Sequence, residues 1–299
     1  MKINYINNQI GFSKKVLSTK EKSANTSRSL CAKQNSFQFP NYSFYLVNFK
    51  SNLQENDLTD EESLNILHQR LVELNKKSKT DNQTSKPNLK GPFYDVIKSI
   101  ALALDSEDKY TRGHSMRVTL YSILLAKELG VSQTDIEKLE IASLLHDIGK
   151  VGISEEILQK STGLTDVEYE IMKTHSENAE KIITGIKKLE NIIPIVRHHH
   201  ERWDGRGYPD KLQGEEIPFF ARIVALADTY DAMTSTRPYR KALSHDEAIK
   251  EIKKCAGTQF DPILAEKFVE IQNTIKAAKE NPDEFYLKNL KPLLAGSSN

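Results

Sequence analysis

After residue 90 the apolar positions of this chain recur at helical spacing, and the alternation expected of strands is missing. Val96, Ile97, Ile100, Leu102 and Leu104 mark one helix. Val118, Tyr121, Leu124, Leu125 and Leu129 mark a second, which Gly130 ends. Ser132 to Asp135 reads as a capping box for a third helix, carrying Ile136, Leu139, Ala142, Leu145 and His146 and stopped by Gly149. Thr165 to Glu168 caps a long segment running through His175 to Lys188. Pro218 opens the helix of Ile223, Val224 and Leu226, and Ser244 to Glu247 caps the next. The expected fold is an all-α helical bundle of roughly 180 to 200 residues, long enough to bury a substantial core.

The first ninety residues follow another pattern. Up to about Leu53 they are rich in Asn, Ser and Lys and nearly lack acids, a composition that does not bury enough apolar surface to offset chain entropy. A mostly disordered N-terminal region is expected there. The aromatic cluster Phe37, Phe39, Tyr42, Phe44, Tyr45, Leu46 and Phe49 is the exception, open to a strand or to docking. Thr59 starts a capping pattern followed by Leu64, Ile66, Leu67, Leu71 and Leu74, which makes one short amphipathic helix with His68 expected on its exposed side. Lys76 to Lys90 reads as a polar linker. The expected organisation is a polar N-terminal region over 1–90, a folded domain over 91–275 and a C-terminal extension over 276–299. A chain beginning near Lys90 should then fold alone.

Charge and cysteine content narrow the function. A net charge of +1 over 299 residues argues against a chain built to coat DNA or an acidic membrane. Two distant cysteines, Cys31 and Cys255, make no disulfide framework and fit a reducing cytoplasm. No apolar run reaches the ~20 residues of a membrane helix, and Met1 to Lys20 lacks the apolar core of a signal peptide.

Histidine carries the chemistry. Of eight in the chain, five lie between His146 and His200, and three of these are consecutive in RHHHERWDGRGYP, Arg197 to Pro209. The candidate ligands are His114, His146, Asp147, His175, His199, His200 and Asp228. All offer nitrogen or oxygen and none is Cys, which points away from a structural thiolate site and toward a catalytic centre of iron, manganese or zinc. Asp147, beside His146, could bridge two ions, and such a pair would activate water for in-line phosphoryl displacement. Each ligand has a plainer reading. His175 alone on a helix face would pass for a satisfied polar residue, and three adjacent imidazoles rarely reach one centre, which leaves His198 aside. His245 reads as a solvated residue near a cap, and Asp105, Glu107 and Asp108 as a solvated charge run.

Four ordered motifs then carry a resemblance: HDIGK at His146 to Lys150, HHERWDGRGYP at His199 to Pro209, ARIVALADTYDAMTSTRPYRKA at Ala221 to Ala242, and GTQFDP at Gly257 to Pro262. Across roughly Tyr94 to Asn273 the chain closely resembles the HD-GYP family of helical, metal-dependent phosphodiesterases that cleave cyclic di-GMP in bacteria. The resemblance implies ligand roles for the seven residues named above, with Asp147 bridging, and a catalytic part for Asp147 and Lys150, the lysine meeting the scissile phosphate. It implies substrate contacts for Tyr208, which could stack on a guanine, and for Arg237 and Arg240 on phosphate. Trp203 is read as pinning the loop to the core. The implied reaction opens cyclic di-GMP to linear pGpG and onward to GMP. Two divalent ions are implied, iron or manganese ahead of zinc, because some members hold a third through a Glu four residues before the first histidine. That position is Tyr110 here, a poor ligand. The rival readings are a non-catalytic receptor for the nucleotide and an HD phosphohydrolase acting on another nucleotide, mixed cyclic dinucleotides included. A homodimer or a signalling partner stays open.

Overall fold

The computed structural model describes residues 65, 67–69, 71–73, 92–107, 113–237 and 240–290, without the side chains of 92, 95, 102, 103, 106, 107, 287 and 290. The polar tail with its Phe37–Phe49 cluster, the linker at 76–90, Asp108 and Tyr110 lie outside the described residues.

Among the described residues the chain is helical, with isolated bridges in place of strands. Helix α1 is Pro92–Glu107, α2 His114–Glu128 and α3 Gln133–Leu145. A 3-10 turn, Ile148–Gly152, leads to short α4, Glu155–Leu158. Then come α5, Asp166–Lys173, α6, His175–Ile183, and α7, Ile193–His198. Helix α8 is Phe219–Thr234, α9 His245–Cys255, α10 Pro262–Glu270, α11 Gln272–Glu280 and α12 Pro282–Phe285. The caps sit where the sequence puts them. Ser132 accepts from the Asp135 N–H at 3.2 Å, and Thr165 with Glu168 and Ser244 with Glu247 close full capping boxes.

The core is one apolar cluster built from α2, α3 and α8 with α1, α6, α7, α10 and α11 around them. Leu120, Leu125, Leu139, Leu145, Val224 and Leu226 are all essentially inaccessible to water. Sequence spacing alone did not attach the short N-terminal helix to this cluster, yet Leu67 and Leu71 are 1% and 0% exposed within it. His68, expected on the surface, is half-buried with Nδ1 at 2.9 Å from the Ile182 carbonyl. Beyond residue 275, Ala278 is buried and Phe285 and Tyr286 pack against the same core.

Three local readings are corrected. The segment expected to run unbroken from Thr165 to Lys188 divides at Thr174 into α5 and α6. Gly149 does not simply stop α3. It lets the 3-10 turn press onto the start of α6, where a Cβ would lie 1.8 Å from the His175 carbonyl oxygen. Asp105 is not a solvated charge: at 5% exposure it accepts from Ser115 N–H at 3.0 Å and Ser115 Oγ at 2.8 Å, meeting orphan donors at the start of α2.

Candidate metal centre

All the candidate ligands but Asp228 stand at or beside the end of a helix, where neighbouring side chains converge. His114 is the first residue of α2, His146 follows the last residue of α3, and Asp147 opens the 3-10 turn. His175 is the first residue of α6, His199 and His200 follow α7, and Asp228 lies within α8. The fold gathers them into two donor groups, one of Asp147, His175, His199 and His200 and one of His114, His146 and Asp147. The donor atoms of each group lie within 4.8 Å of one another. Asp228 Oδ1 is 3.3 Å from His114 Nε2, beside the second group.

Asp147 belongs to both groups. Its Oδ2 is 3.3 Å from His146 Nε2 and 3.7 Å from His114 Nε2, while Oδ1 is 3.6 Å from His175 Nε2. The imidazoles are oriented from behind. His146, His175 and His199 each donate Nδ1–H to the carbonyl three residues earlier, Ser143, Met172 and Val196, all at 2.7 Å. A carbonyl only accepts, so Nδ1 carries the proton and the Nε2 lone pair faces inward. His114 Nε2 then lies 3.3 Å from His146 Nε2, and His175 Nε2 lies 3.4 Å from His199 Nε2. Two lone pairs that close repel unless a cation or a proton sits between them.

The ionisation pattern agrees with a site built for cations. Burial opposes charge on His114, but Asp228 and Asp231 outweigh it and carry its pKa up to about 10. Burial likewise works against Asp147, yet Lys150 and His146 hold it well below the usual carboxylate range. On the other side burial, then the neighbouring His175, pushes His200 down to about 3, and burial pushes His199 down as well. Without a metal, a proton on His114 offsets part of the carboxylate charge. A divalent ion would do the same against the inward-facing Nε2 lone pairs of His146, His175 and His199, so the donor set fits such ions by chemistry and by orientation.

Around this centre, Lys150 Nζ is 2.6 Å from Asp147 Oδ2. Arg237 is close enough for its charge to act on Lys150. Arg240 turns back into the fold, donating from Nη2 to the Ala232 carbonyl at 2.5 Å, while its backbone pairs with that of Arg237. Tyr208 is stacked on His200 with centroids 4.8 Å apart at 27°, and the Lys173 ammonium lies 5.8 Å from the ring. Much of the face offered to a base is therefore used to wall in an imidazole. His198 points outward, with Nε2 2.8 Å from Asp210 Oδ2. His245 is not solvated: it is half-buried, with Nδ1 2.8 Å from the Tyr230 hydroxyl.

The sequence reading left out the residues that hold this arrangement. Glu201, 3% exposed, accepts from the N–H of Asp210 at 2.7 Å and from those of Lys211 and Leu212, so it ties the loop over its own histidines. Gly207 passes beneath it, and a Cβ there would lie 2.4 Å from the Arg202 nitrogen. The GTQFDP motif carries no reactive group but clamps the loop: Trp203 N–H donates to the Gln259 carbonyl at 3.2 Å and Asp204 N–H to that of Thr258 at 2.8 Å. Arg222, paired with Asp261 at 2.6 Å, lies 5.6 Å from the Trp203 ring, which is thereby pinned to the core side. Asp231 accepts from His114, and its one signal was a place one helical turn after Asp228.

Comparison with known proteins gives the centre a context. A family model for the HD domain matches residues 98–264, more than half of the chain. A cyclic di-GMP phosphodiesterase of Thermotoga maritima is 38% identical over 185 residues, covering 61% of this chain and 50% of its own. The 3'3'-cGAMP-specific phosphodiesterase 3 of Vibrio cholerae is 35% identical over 190 residues, covering 64% and 40%. The chain thus spans about half, or less, of the length of these relatives. The solved structure of Bd1817, a HDG"Y"P protein from Bdellovibrio bacteriovorus, aligns with a TM-score of 0.48 at 18% identity over 78% of this chain and 79% of that one. With its histidine and aspartate ends gathered in one helical core and the HD and GYP motifs in order, the chain belongs to the HD domain family, in its HD-GYP branch.

Proposed function

We propose that this chain is a metal-dependent phosphodiesterase that hydrolyses cyclic di-GMP. The observation that carries the reading is Asp147, one carboxylate shared by two groups of inward-facing imidazoles. His114, His146, Asp147, His175, His199, His200 and Asp228 would hold two divalent ions, iron or manganese ahead of zinc given nitrogen and oxygen donors only. When bound, such ions supply a water acidic enough to attack at neutral pH and neutralise phosphoryl oxygens.

The chain's own groups do the rest. Asp147 holds its position between the two donor groups. Lys150 offers an ammonium against the charge that builds on the non-bridging oxygens. Arg237 contacts phosphate at the mouth, and Arg240 holds the backbone that presents it. Tyr208 shields the imidazole of His200 from water and meets a base with the part of its ring left open. One water adds across a P–O3' bond, leaving a 5'-phosphate and a 3'-hydroxyl, so that cyclic di-GMP becomes pGpG. A second hydrolysis gives GMP.

A second reading is hydrolysis of a mixed cyclic dinucleotide, favoured by relatives of nearly equal identity that bear each substrate name. The test is to load the chain with ferrous, manganous or zinc ion and follow cyclic di-GMP and 3'3'-cGAMP by chromatography. Release of pGpG is expected. Faster turnover of 3'3'-cGAMP would install the second reading. Binding of either nucleotide with no turnover under any metal would leave a receptor in place of an enzyme.

A further inference from the structure

Three of the five imidazoles of the centre, His146, His175 and His199, take a neutral acceptor for Nδ1, the carbonyl three residues back. His114, the first residue of α2, takes a different partner. Its Nδ1 lies instead 2.8 Å from Asp231 Oδ2, a carboxylate supplied by α8. Asp231 is 1% exposed and is gripped by a fork: Arg117 Nε to Oδ1 at 2.7 Å and Nη2 to Oδ2 at 2.8 Å. Arg117 stands one turn beyond His114 on α2, and Asp231 one turn beyond Asp228 on α8. The two helices therefore lock each other at this end of the centre. Ser235 Oγ, 3.4 Å from Asp231 Oδ2, adds a further contact.

The consequence is a lopsided centre. On one side, Asp147 meets three imidazoles, and the third, His200, is braced by the stacked Tyr208 ring. On the other, two imidazoles meet Asp147 and Asp228, and one of them donates to a buried carboxylate. A carboxylate behind an imidazole raises its donor strength and fixes its angle more firmly than a carbonyl does.

We propose that Asp231, gripped by Arg117, is a positioning residue that makes the His114–His146–Asp147–Asp228 side the tight side of the centre, the one that keeps its divalent ion when the other ion is lost. This rests on the two-ion reading given above.

The experiment uses the full chain loaded with manganese, dialysed against rising concentrations of a chelator, with ions per chain counted by elemental mass spectrometry. The wild-type chain should lose one ion early and the second at much higher chelator. In Asp231→Asn the late step should move to roughly 10- to 100-fold lower chelator while the early step stays put, the range seen when such outer partners are changed. Arg117→Lys, which keeps the charge and loses the fork, should shift the same step in the same direction by less, and it serves if Asp231→Asn does not fold. Melting of the metal-free proteins separates a merely structural role, which would lower the melting temperature and leave the late step where it was. That pattern would overturn the proposal, as would simultaneous loss of both ions from the wild-type chain or an equal shift of both steps in the variants. A chain that holds a single ion contradicts the two-ion reading instead. Asp231→Asn still decides there, since a tenfold weaker hold supports the positioning role and an unchanged one ends it.

Discussion

The chemistry converges on a few side chains whose partners leave them little freedom. Asp147 stands between two imidazole groups and also accepts from Lys150, which makes it the residue on which the proposed two-ion centre depends most. Asp147→Ala is expected to lose metal and to lower turnover by on the order of a thousandfold, the scale of several kcal/mol of lost charge stabilisation. Its far-ultraviolet circular dichroism should stay helical, because the core cluster does not include it. Near-normal turnover by the metal-free variant would end the mechanism. Arg237 sits within electrostatic reach of Lys150. Arg237→Ala should weaken cyclic di-GMP binding about tenfold, the value of one charged hydrogen bond, with metal content unchanged. Calorimetric titration giving an unchanged affinity would remove Arg237 from the phosphate contacts.

Helices and loops raise a different question, namely which pieces the centre needs. Leu67 and Leu71 are fully buried, and each such side chain contributes about 1.5–3 kcal/mol. Removing both is large against a typical stability of about 5–15 kcal/mol. A chain beginning at Lys90 is therefore expected to melt well below one beginning near Asn56, which revises the expectation from linker composition that the domain stands alone from residue 90. Equal melting temperatures for the two would show that this helix adds nothing. The loop over the histidines is tied down at Asp210, which accepts from Arg197 Nε and Nη2 at 2.8 Å and meets His198. Hydrogen bonds from Arg197, then those from His198, lower the Asp210 pKa to about 2. A depressed carboxylate contributes fully above its unfolded value near 4 and loses that contribution as pH falls toward 2. The tie should hold unchanged at neutral pH and fail only in strong acid. Because Asp210 is well exposed, Asp210→Asn should cost under about 1 kcal/mol. It should nonetheless speed proteolysis within 202–213 at pH 7, and an unchanged cleavage rate would count against the tie.

Taken as one molecule, the chain brings six ligand residues from the ends of α2, α3, α6 and α7 and one from the interior of α8 to a single centre, and encloses them with a loop that GTQFDP clamps from the far side. Two ions per chain are expected. Tyr110 offers a phenol, a poor ligand, where the HD-GYP resemblance would put the carboxylate of a third ion, and that position lies outside the described residues. Elemental analysis giving three ions per active chain would overturn it. Among the described residues, no helix is long and apolar enough to cross a membrane.

Much of this was legible before any coordinates. Helical periodicity and Ser or Thr caps are local signals, repeated every turn, so the longer helices and their capped starts could be read from spacing, whereas the break at Thr174 and the short helices could not; the candidate ligands could be read too, because histidine and aspartate in ordered motifs are rare and chemically distinct. Long-range relations left no such trace. Asp231 is 117 residues from His114, and nothing in the chain says which aspartate will meet its Nδ1. Asp105 looked solvated because exposure depends on what packs above a residue, here Ser115 at the start of the next helix. His68 and Leu71 looked detachable because a polar stretch follows them, whereas burial depends on a groove made by distant helices. Gly149 and Gly207 mark close approaches of backbone to backbone, contacts that exist only once α6 and the loop have been brought together.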